Sequence, residues 1–325
     1  MPTARYPMNI TVPARPPDWL DPAFFGGPAG EEEAAAFCRR LAASHYENFT
    51  AVSRLLPRPL RQHFANIYAY CRIADDLADE TGSPGEALRR LDLWQEQLRA
   101  CYAGNPSHPA FVALAGTVRT FDLPIEHFEH LLDAFRQDQA KTRYETWQEL
   151  LGYCSRSANP VGRLVLLVCG YPGERRAELS DQTCTALQLA NFWQDVSRDF
   201  ARGRIYIPRE ILRKHGYDEE SLGRRIVDER WTGLMHELTE RTWPLFREGL
   251  DLIGLVEGRT RLAIELFSRG GAAILMRIRD LGYDTLNERP SLSRWDKWKI
   301  AGSAVLRLPP RWRGAMPAAS RSHVP

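Results

Sequence analysis

Between about residue 30 and residue 290, apolar residues recur three and four apart, the period of a helix with one buried face. Leu88, Leu91, Trp94, Leu98 and Tyr102 make one such stripe. Leu234, Leu238 and Leu245, followed by Leu250, Ile253 and Leu255, mark others. The interruptions are short and carry turn residues: Gly82-Ser83-Pro84-Gly85, Gly104-Asn105-Pro106, Gly170-Tyr171-Pro172-Gly173 and Arg289-Pro290. Alternation of strand period is confined to Ile205-Tyr206-Ile207, just ahead of Pro208. No internal repeat or interior linker breaks the pattern. It predicts one all-α domain of roughly ten helices of average length.

Composition narrows the class. The chain has 325 residues, 44% hydrophobic and 26% charged, ordinary values for a globular protein able to bury a real core. Collagen-like, low-complexity and strongly charged classes are excluded. The balance of 43 Lys+Arg against 41 Asp+Glu hides an uneven distribution: residues 294–325 hold seven basic residues and one acid, so the body before them is net acidic. Seven of the 22 prolines lie in residues 1–29 and four in residues 309–325, which marks both ends as irregular. The expected division is a Pro-rich N-terminal tail over 1–29, a catalytic domain over 30–293 and a basic C-terminal tail over 294–325. The N-terminus lacks the apolar core of a secretory signal. No uncharged apolar run reaches the ~18 residues a membrane-spanning helix needs. The six cysteines form no CxxC pair and the histidines are poorly spaced for zinc, which reads as buried, reduced thiols in a cytoplasmic protein.

Three stretches carry candidate chemistry. In Tyr68-Ala-Tyr-Cys-Arg72-Ile-Ala-Asp75-Asp76-Leu-Ala-Asp79-Glu80, a helix places Arg72, Asp75 and Asp79 on one face, with Asp76 and Glu80 as a second pair beside it. Like charges one turn apart repel, so the arrangement is either a solvated acidic helix end or a place for a cation. In Asn191-Phe-Trp-Gln194-Asp195-Val-Ser-Arg198-Asp199-Phe-Ala-Arg202-Gly203-Arg204, the residues Asn191, Asp195 and Asp199 repeat every fourth position, with Gly203 as a helix stop. Salt bridges from Asp195 to Arg198 or Arg202 are the plain alternative. The third stretch, Tyr153-Cys-Ser-Arg-Ser157-Ala158-Asn159-Pro160-Val161-Gly162, is rich in small residues and fits either close helix packing or the wall of a cavity.

Two Asp-x-x-x-Asp helices sharpen the first two readings. Facing each other across a bundle, opposed carboxylates can hold Mg²⁺, and flanking arginines can bind a diphosphate bidentately. An interior rich in Phe, Trp, Leu and Val suits an apolar chain. The combination describes a metal-dependent enzyme that ionises an apolar diphosphate, the metal and arginines stabilising the leaving group.

With these motifs in this order, the chain resembles the squalene/phytoene synthase family over about residues 37–290. His45-Tyr-Glu-Asn-Phe49 with Leu55-Leu56-Pro57 adds to the likeness, as does Arg204-Ile-Tyr206-Ile-Pro208. The resemblance implies an isoprenoid-synthase helical bundle around a central cavity. It implies that Asp75, Asp79, Asp195 and Asp199, with Asn191, bind Mg²⁺ (or Mn²⁺ in its place) and diphosphate. It implies that His45, Phe49, Arg72, Asn191, Gln194, Arg198, Arg202 and Tyr206 contact substrate. Tyr153 would line the cavity, and Tyr153, Arg72, Asp75 and Asp195 would form the catalytic set. Two positions depart from members that join two prenyl diphosphates: Glu47 replaces a basic residue and Gln194 replaces an arginine. Each missing charge-assisted contact is worth about 1.5–3 kcal/mol, which favours a substrate with one diphosphate. The resemblance is greatest to the bacterial hydroxysqualene-forming branch of the hopanoid pathway. It implies ionisation of presqualene diphosphate and trapping of the rearranged cation by water, without a nicotinamide cofactor. Ser157, Asn159 and Gln194 are the candidates for guiding that water. Head-to-head prenyl transfer and non-catalytic polyisoprenoid binding are the competing functions.

The C-terminal tail interleaves Trp295, Trp298 and Trp312 with Arg294, Lys297, Lys299, Arg307, Arg311 and Arg313. Such a pattern suits an anionic membrane surface. The alternative is a solubilising tail anchored on the domain. The expected location is the cytoplasm, with peripheral contact to the inner face of the membrane. Neighbouring hopanoid-pathway enzymes are the expected partners, and no nucleic-acid motif is present.

Overall fold

The computed structural model describes residues 30–44, 57–80 and 82–307. Fourteen α-helices follow one another there: α1 (Glu31–Ser44), α2 (Arg61–Asp79), α3 (Pro84–Tyr102), α4 (Pro109–Phe121), α5 (Ile125–Ala140), α6 (Trp147–Ser157), α7 (Asn159–Val168), α8 (Glu174–Gln194), α9 (Val196–Ala201), α10 (Arg209–Lys214), α11 (Glu219–Gly223), α12 (Glu229–Gly249), α13 (Gly258–Asp280) and α14 (Arg294–Val305). Eleven have ten or more residues, and α9 to α11 are short pieces. No strand occurs among the described residues; the alternation at 205–207 yields one isolated bridge, between Arg143 and Ile205. The all-α expectation holds.

Helix ends follow their chemistry. α3 begins where the Ser83 hydroxyl accepts from the Glu86 amide, with Pro84 in the first turn. α12 begins where Asp228 accepts from the amides of Arg230 and Trp231. The apolar stripes then bury. Leu91, Trp94 and Leu98 of α3 join Tyr70, Phe111 and Phe128 in one core cluster. Leu234 and Leu238 of α12 join Trp193, Trp231 and Phe246 in another.

α8 is the axis of the second half, packed by α6, α7, α12 and α13. Three glycines let its neighbours approach. A Cβ on Gly162 of α7 would overlap Ser180 and Cys184, one on Gly249 would overlap Thr183, and one on Gly271 of α13 would overlap Leu187 and Phe246. Gly162 also lines a cavity of about 310 Å³ where α2, α7, α8 and α13 meet. Both readings of the small-residue stretch are therefore realised at one residue.

Residues 294–305, counted with the basic tail from composition, form α14. A capping box between Ser293 and Asp296 starts it. Its Ala304 is buried, and Arg269 of α13 donates to the Ser303 hydroxyl at 3.1 Å. The 1–29 tail, His45, Phe49 and residues 308–325 lie outside the described residues. All six cysteines are unpaired thiols. Among the described residues no helix is long and apolar enough to cross a membrane.

Candidate active site

The first acidic motif rides an unbroken helix. On α2, Arg72 donates to Asp75 at 3.3 Å and pairs closely with Asp76, and Glu80 lies 3.9 Å away. Asp76, assigned to a side pair by spacing, is therefore the nearest partner of Arg72 and is buried. Burial disfavours the Arg72 charge, but Asp76 and Asp75 more than offset it. Asp75 and Asp79 remain open, their side chains 44% and 42% exposed.

The second motif is jointed. α8 ends at Gln194, Asp195 is the hinge between helices, and α9 ends at Ala201, ahead of Gly203 with φ +79°. The amide ladder still runs from Asn191 O to Asp195 N and from Asp195 O to Asp199 N, each 2.9 Å, so the fourfold spacing survives the joint. Asp195 is held bidentately by Arg289, at 2.7 and 2.9 Å, and by Arg198 at 3.5 Å. Both Asp195–Arg198 pairing and a closer arginine are thus present. Burial pushes the Asp199 carboxyl up to about 7; the Asp195 charge adds to this, while Arg202 and Arg204 oppose it.

The structure brings the two motifs together through Arg204, whose Nη2 donates to Asp79 Oδ1 at 3.2 Å across 125 residues. Burial opposes its charge, but Tyr206, Asp79 and Asp138 outweigh burial. Asp138 on α5 is a member that sequence spacing did not reveal. Its Oδ2 accepts from the Tyr153 hydroxyl at 2.7 Å, and its buried Oδ1 has no partner among the described residues. Burial lifts this carboxyl to about 6, against the pull of Tyr153 and Arg204. Tyr206 stacks on Phe192 with ring centroids 3.8 Å apart, and Tyr153 and Tyr144 close the aromatic patch.

Other expected site residues have different settings. Asn191, Arg198 and Arg202 are exposed at the rim. Gln194 is buried, and its amide donates to the Pro290 carbonyl at 2.5 Å. Arg289 was visible in the sequence only as the residue before a turn proline; nothing in local spacing ties it to Asp195, 94 residues away.

Apolar and polar ends lie along the same helices. Phe64 lines the cavity and Asp75 lies eleven residues further along α2, a rise of about 16 Å. Leu187 lines it from α8, about 12 Å of helix before Asp195. Ser157 lines it from α6, one turn beyond Tyr153. The cavity walls are chiefly aliphatic and aromatic, as a hydrocarbon chain requires. The donor chemistry at the polar end suits a hard divalent cation: carboxylate oxygens from both motifs, with half-buried Asp199, whose desolvation Arg202 and Arg204 do not fully offset, and Asp138 Oδ1, unpartnered among the described residues. Arginines now occupy Asp79 and Asp195, and among the described residues no three acidic, His or Cys side chains converge as a preformed metal cluster.

The chain is similar over most of its length to known proteins of one family. The family model for squalene/phytoene synthase matches residues 42–296. A phytoene synthase of Arthrospira platensis is 32% identical over 297 residues, covering 86% of this chain and 95% of that protein. The crystal structure of squalene synthase HpnC from Alicyclobacillus acidocaldarius superposes with a TM-score of 0.75 at 45% identity, over 78% of this chain and 95% of the other. A presqualene diphosphate synthase of Rhodopseudomonas palustris is 36% identical over 170 residues, 52% of this chain and 61% of that protein. Members of this family are enzymes that act on prenyl diphosphates, and the chain belongs to the squalene/phytoene synthase family.

Proposed function

We propose that the protein is a hydroxysqualene synthase, a lyase that ionises presqualene diphosphate and lets water trap the rearranged cation. The observation that carries this reading is Gln194. It replaces the arginine expected of members that join two diphosphates, and its side chain is buried against the Pro290 carbonyl rather than offered to a second phosphate group. The likeness to squalene synthase HpnC supports a hopanoid-type role. Asp75, Asp79, Asp195 and Asp199, with Asn191, would hold Mg²⁺, or Mn²⁺ in its place. When bound, the ion supplies positive charge to the departing diphosphate. Arg72, Arg198 and Arg202, with His45, neutralise the same charge. Tyr153 and Tyr206 would face the organic part of the substrate, with Phe49 a further contact by the family resemblance, and aromatic faces stabilise a nearby cation. No nicotinamide cofactor enters this reaction.

The test is incubation with Mg²⁺ and either presqualene diphosphate or farnesyl diphosphate, with products identified by mass. Hydroxysqualene from the first and no product from the second is expected. Consumption of farnesyl diphosphate alone would establish the second reading, head-to-head prenyl transfer. That reading draws on the phytoene synthases among the relatives.

We also infer that α14 rests on the inner face of an anionic membrane. Trp295 and Trp298 are 76% and 71% exposed, and Val305 and Leu306 are 66% and 69% exposed. Helical geometry puts these four within an arc of about 100°, opposite buried Ala304. Arg294 and Lys299 flank the arc, a pattern suited to headgroups and acyl chains. Substituting both tryptophans with Ala should abolish co-sedimentation with anionic liposomes; equal binding by both forms would remove this role.

A further inference from the structure

Three polar side chains were candidates to guide the trapping water, and the structure separates them, because of the three only Ser157 lines the cavity. Asn159 is engaged, its Oδ1 accepting from Thr185 Oγ1 at 2.9 Å. Gln194 is engaged with Pro290. Ser157 lines the cavity, and its Oγ is buried with no hydrogen-bond partner among the described residues. The other hydroxyls on the wall have local partners: Thr183 donates to the Leu179 carbonyl at 3.3 Å, Ser180 faces Cys184, and Thr260 pairs with Cys169. Gln188, on the adjoining wall of α8, brings a second polar group to the same space.

We propose that Ser157 is the positioning residue for the nucleophilic water. The inference rests on the hydroxysqualene reading above. A buried hydroxyl left unpartnered in a largely apolar wall, with Gln188 beside it, is an anchor for one ordered water, because such water needs two or more polar partners. Ser157 lies one turn from Tyr153, whose hydroxyl reaches Asp138, so it stands between the carboxylate end and the hydrocarbon space. The C–O bond to diphosphate breaks with its electron pair leaving on oxygen. The Ser157 Oγ accepts a hydrogen bond from the water, which leaves a water lone pair to form the new C–O bond to the cationic carbon. The proton released goes to the departing diphosphate, and the products are a C30 alcohol and protonated diphosphate.

The experiment compares the full chain with Ser157→Ala, Ser157→Val and Ser157→Thr on presqualene diphosphate, reading both diphosphate release and the ratio of alcohol to unhydroxylated C30 hydrocarbon. Removing the hydroxyl should lower the alcohol-to-hydrocarbon ratio about tenfold, while diphosphate release stays near the wild-type rate. Ser157→Thr, which keeps a hydroxyl, should retain the alcohol. An unchanged ratio in both Ser157→Ala and Ser157→Val overturns the role of Ser157 while leaving the proposed reaction standing. A wild-type chain that turns over presqualene diphosphate without forming any alcohol overturns the reaction itself, and Ser157 with it.

Discussion

The two aspartate motifs look alike in sequence and are built differently. Asp75 and Asp79 project from one straight helix, half open to solvent, with Arg72 of the same helix beside them. Asp195 and Asp199 straddle a joint. Asp195 is clamped by Arg289 from a distant turn, and Asp199 is buried enough to titrate near 7. The difference teaches that equal spacing does not mean equal electrostatics. The first motif is placed by local helix geometry and has one tertiary partner, Arg204 on Asp79. The second depends on tertiary partners and carries charge that the protein alone does not fully compensate.

The largest expected effect comes from neutralising one acid in each motif. Asp79→Asn and Asp195→Asn should each lower kcat/KM for presqualene diphosphate by about 10²–10³, the scale of losing one electrostatic contact to a developing charge. They should part company in stability. Asp195→Asn removes the charge that Arg289 binds bidentately and should lower the thermal midpoint; Asp79→Asn, half exposed, should not. Equal thermal midpoints for the two variants would erase the contrast. Arg204→Gln removes the ion pair that joins the motifs, and a loss of about 1.5–3 kcal/mol, read as kcat/KM, is expected.

Asp138 tests whether uncompensated charge is a real cost. Its carboxyl ordinarily titrates at 3.8 and is raised to about 6 here, chiefly by burial. The charged form is therefore disfavoured in the fold. The penalty grows as pH rises from 3.8 towards 6 and is complete above that, on the order of 2–3 kcal/mol. Asp138→Asn keeps an acceptor for Tyr153 and removes the charge. Metal-free Asp138→Asn should unfold at a higher temperature than wild type at pH 8, with the gain gone at pH 4. A lower midpoint at pH 8 would show that the carboxylate is compensated after all.

How much of this was legible follows from where each contact comes from. Arg72, Asp75 and Asp79 share a face because the helix period puts them there, and that period is written in the sequence. The joint at Asp195 was not legible, because the amide spacing from Asn191 to Asp199 continues through it. Asp138 and Arg289 reach the site through packing of remote elements, which no local pattern encodes. Asp76 was legible as a charge but not as buried, since burial depends on what packs over α2. α14 was hidden by its basic composition, although the Ser293-x-x-Asp296 capping signal preceded it. The choice among Ser157, Asn159 and Gln194 needed the partners of each side chain.

The smallest effect separates the two arginines on Asp195. Sequence spacing offered Arg198 or Arg202 as the partner of Asp195, and of these Arg198 makes a contact. The structure gives Arg289 the better geometry, with two short bonds and a side chain 27% exposed, against one contact of 3.5 Å for Arg198 at 43% exposed. An exposed pair of that kind contributes under about 1 kcal/mol and is screened by salt. Arg198→Gln should therefore shift the denaturant midpoint of the metal-free protein by less than Arg289→Gln, and raised ionic strength should erase the Arg198 effect first. Arg289→Gln leaves Asp195 beside Asp199 with its bidentate partner gone and should cost about 1.5–3 kcal/mol. If Arg198→Gln proves the more damaging of the two, the second motif is held locally like the first, and the contrast between them collapses.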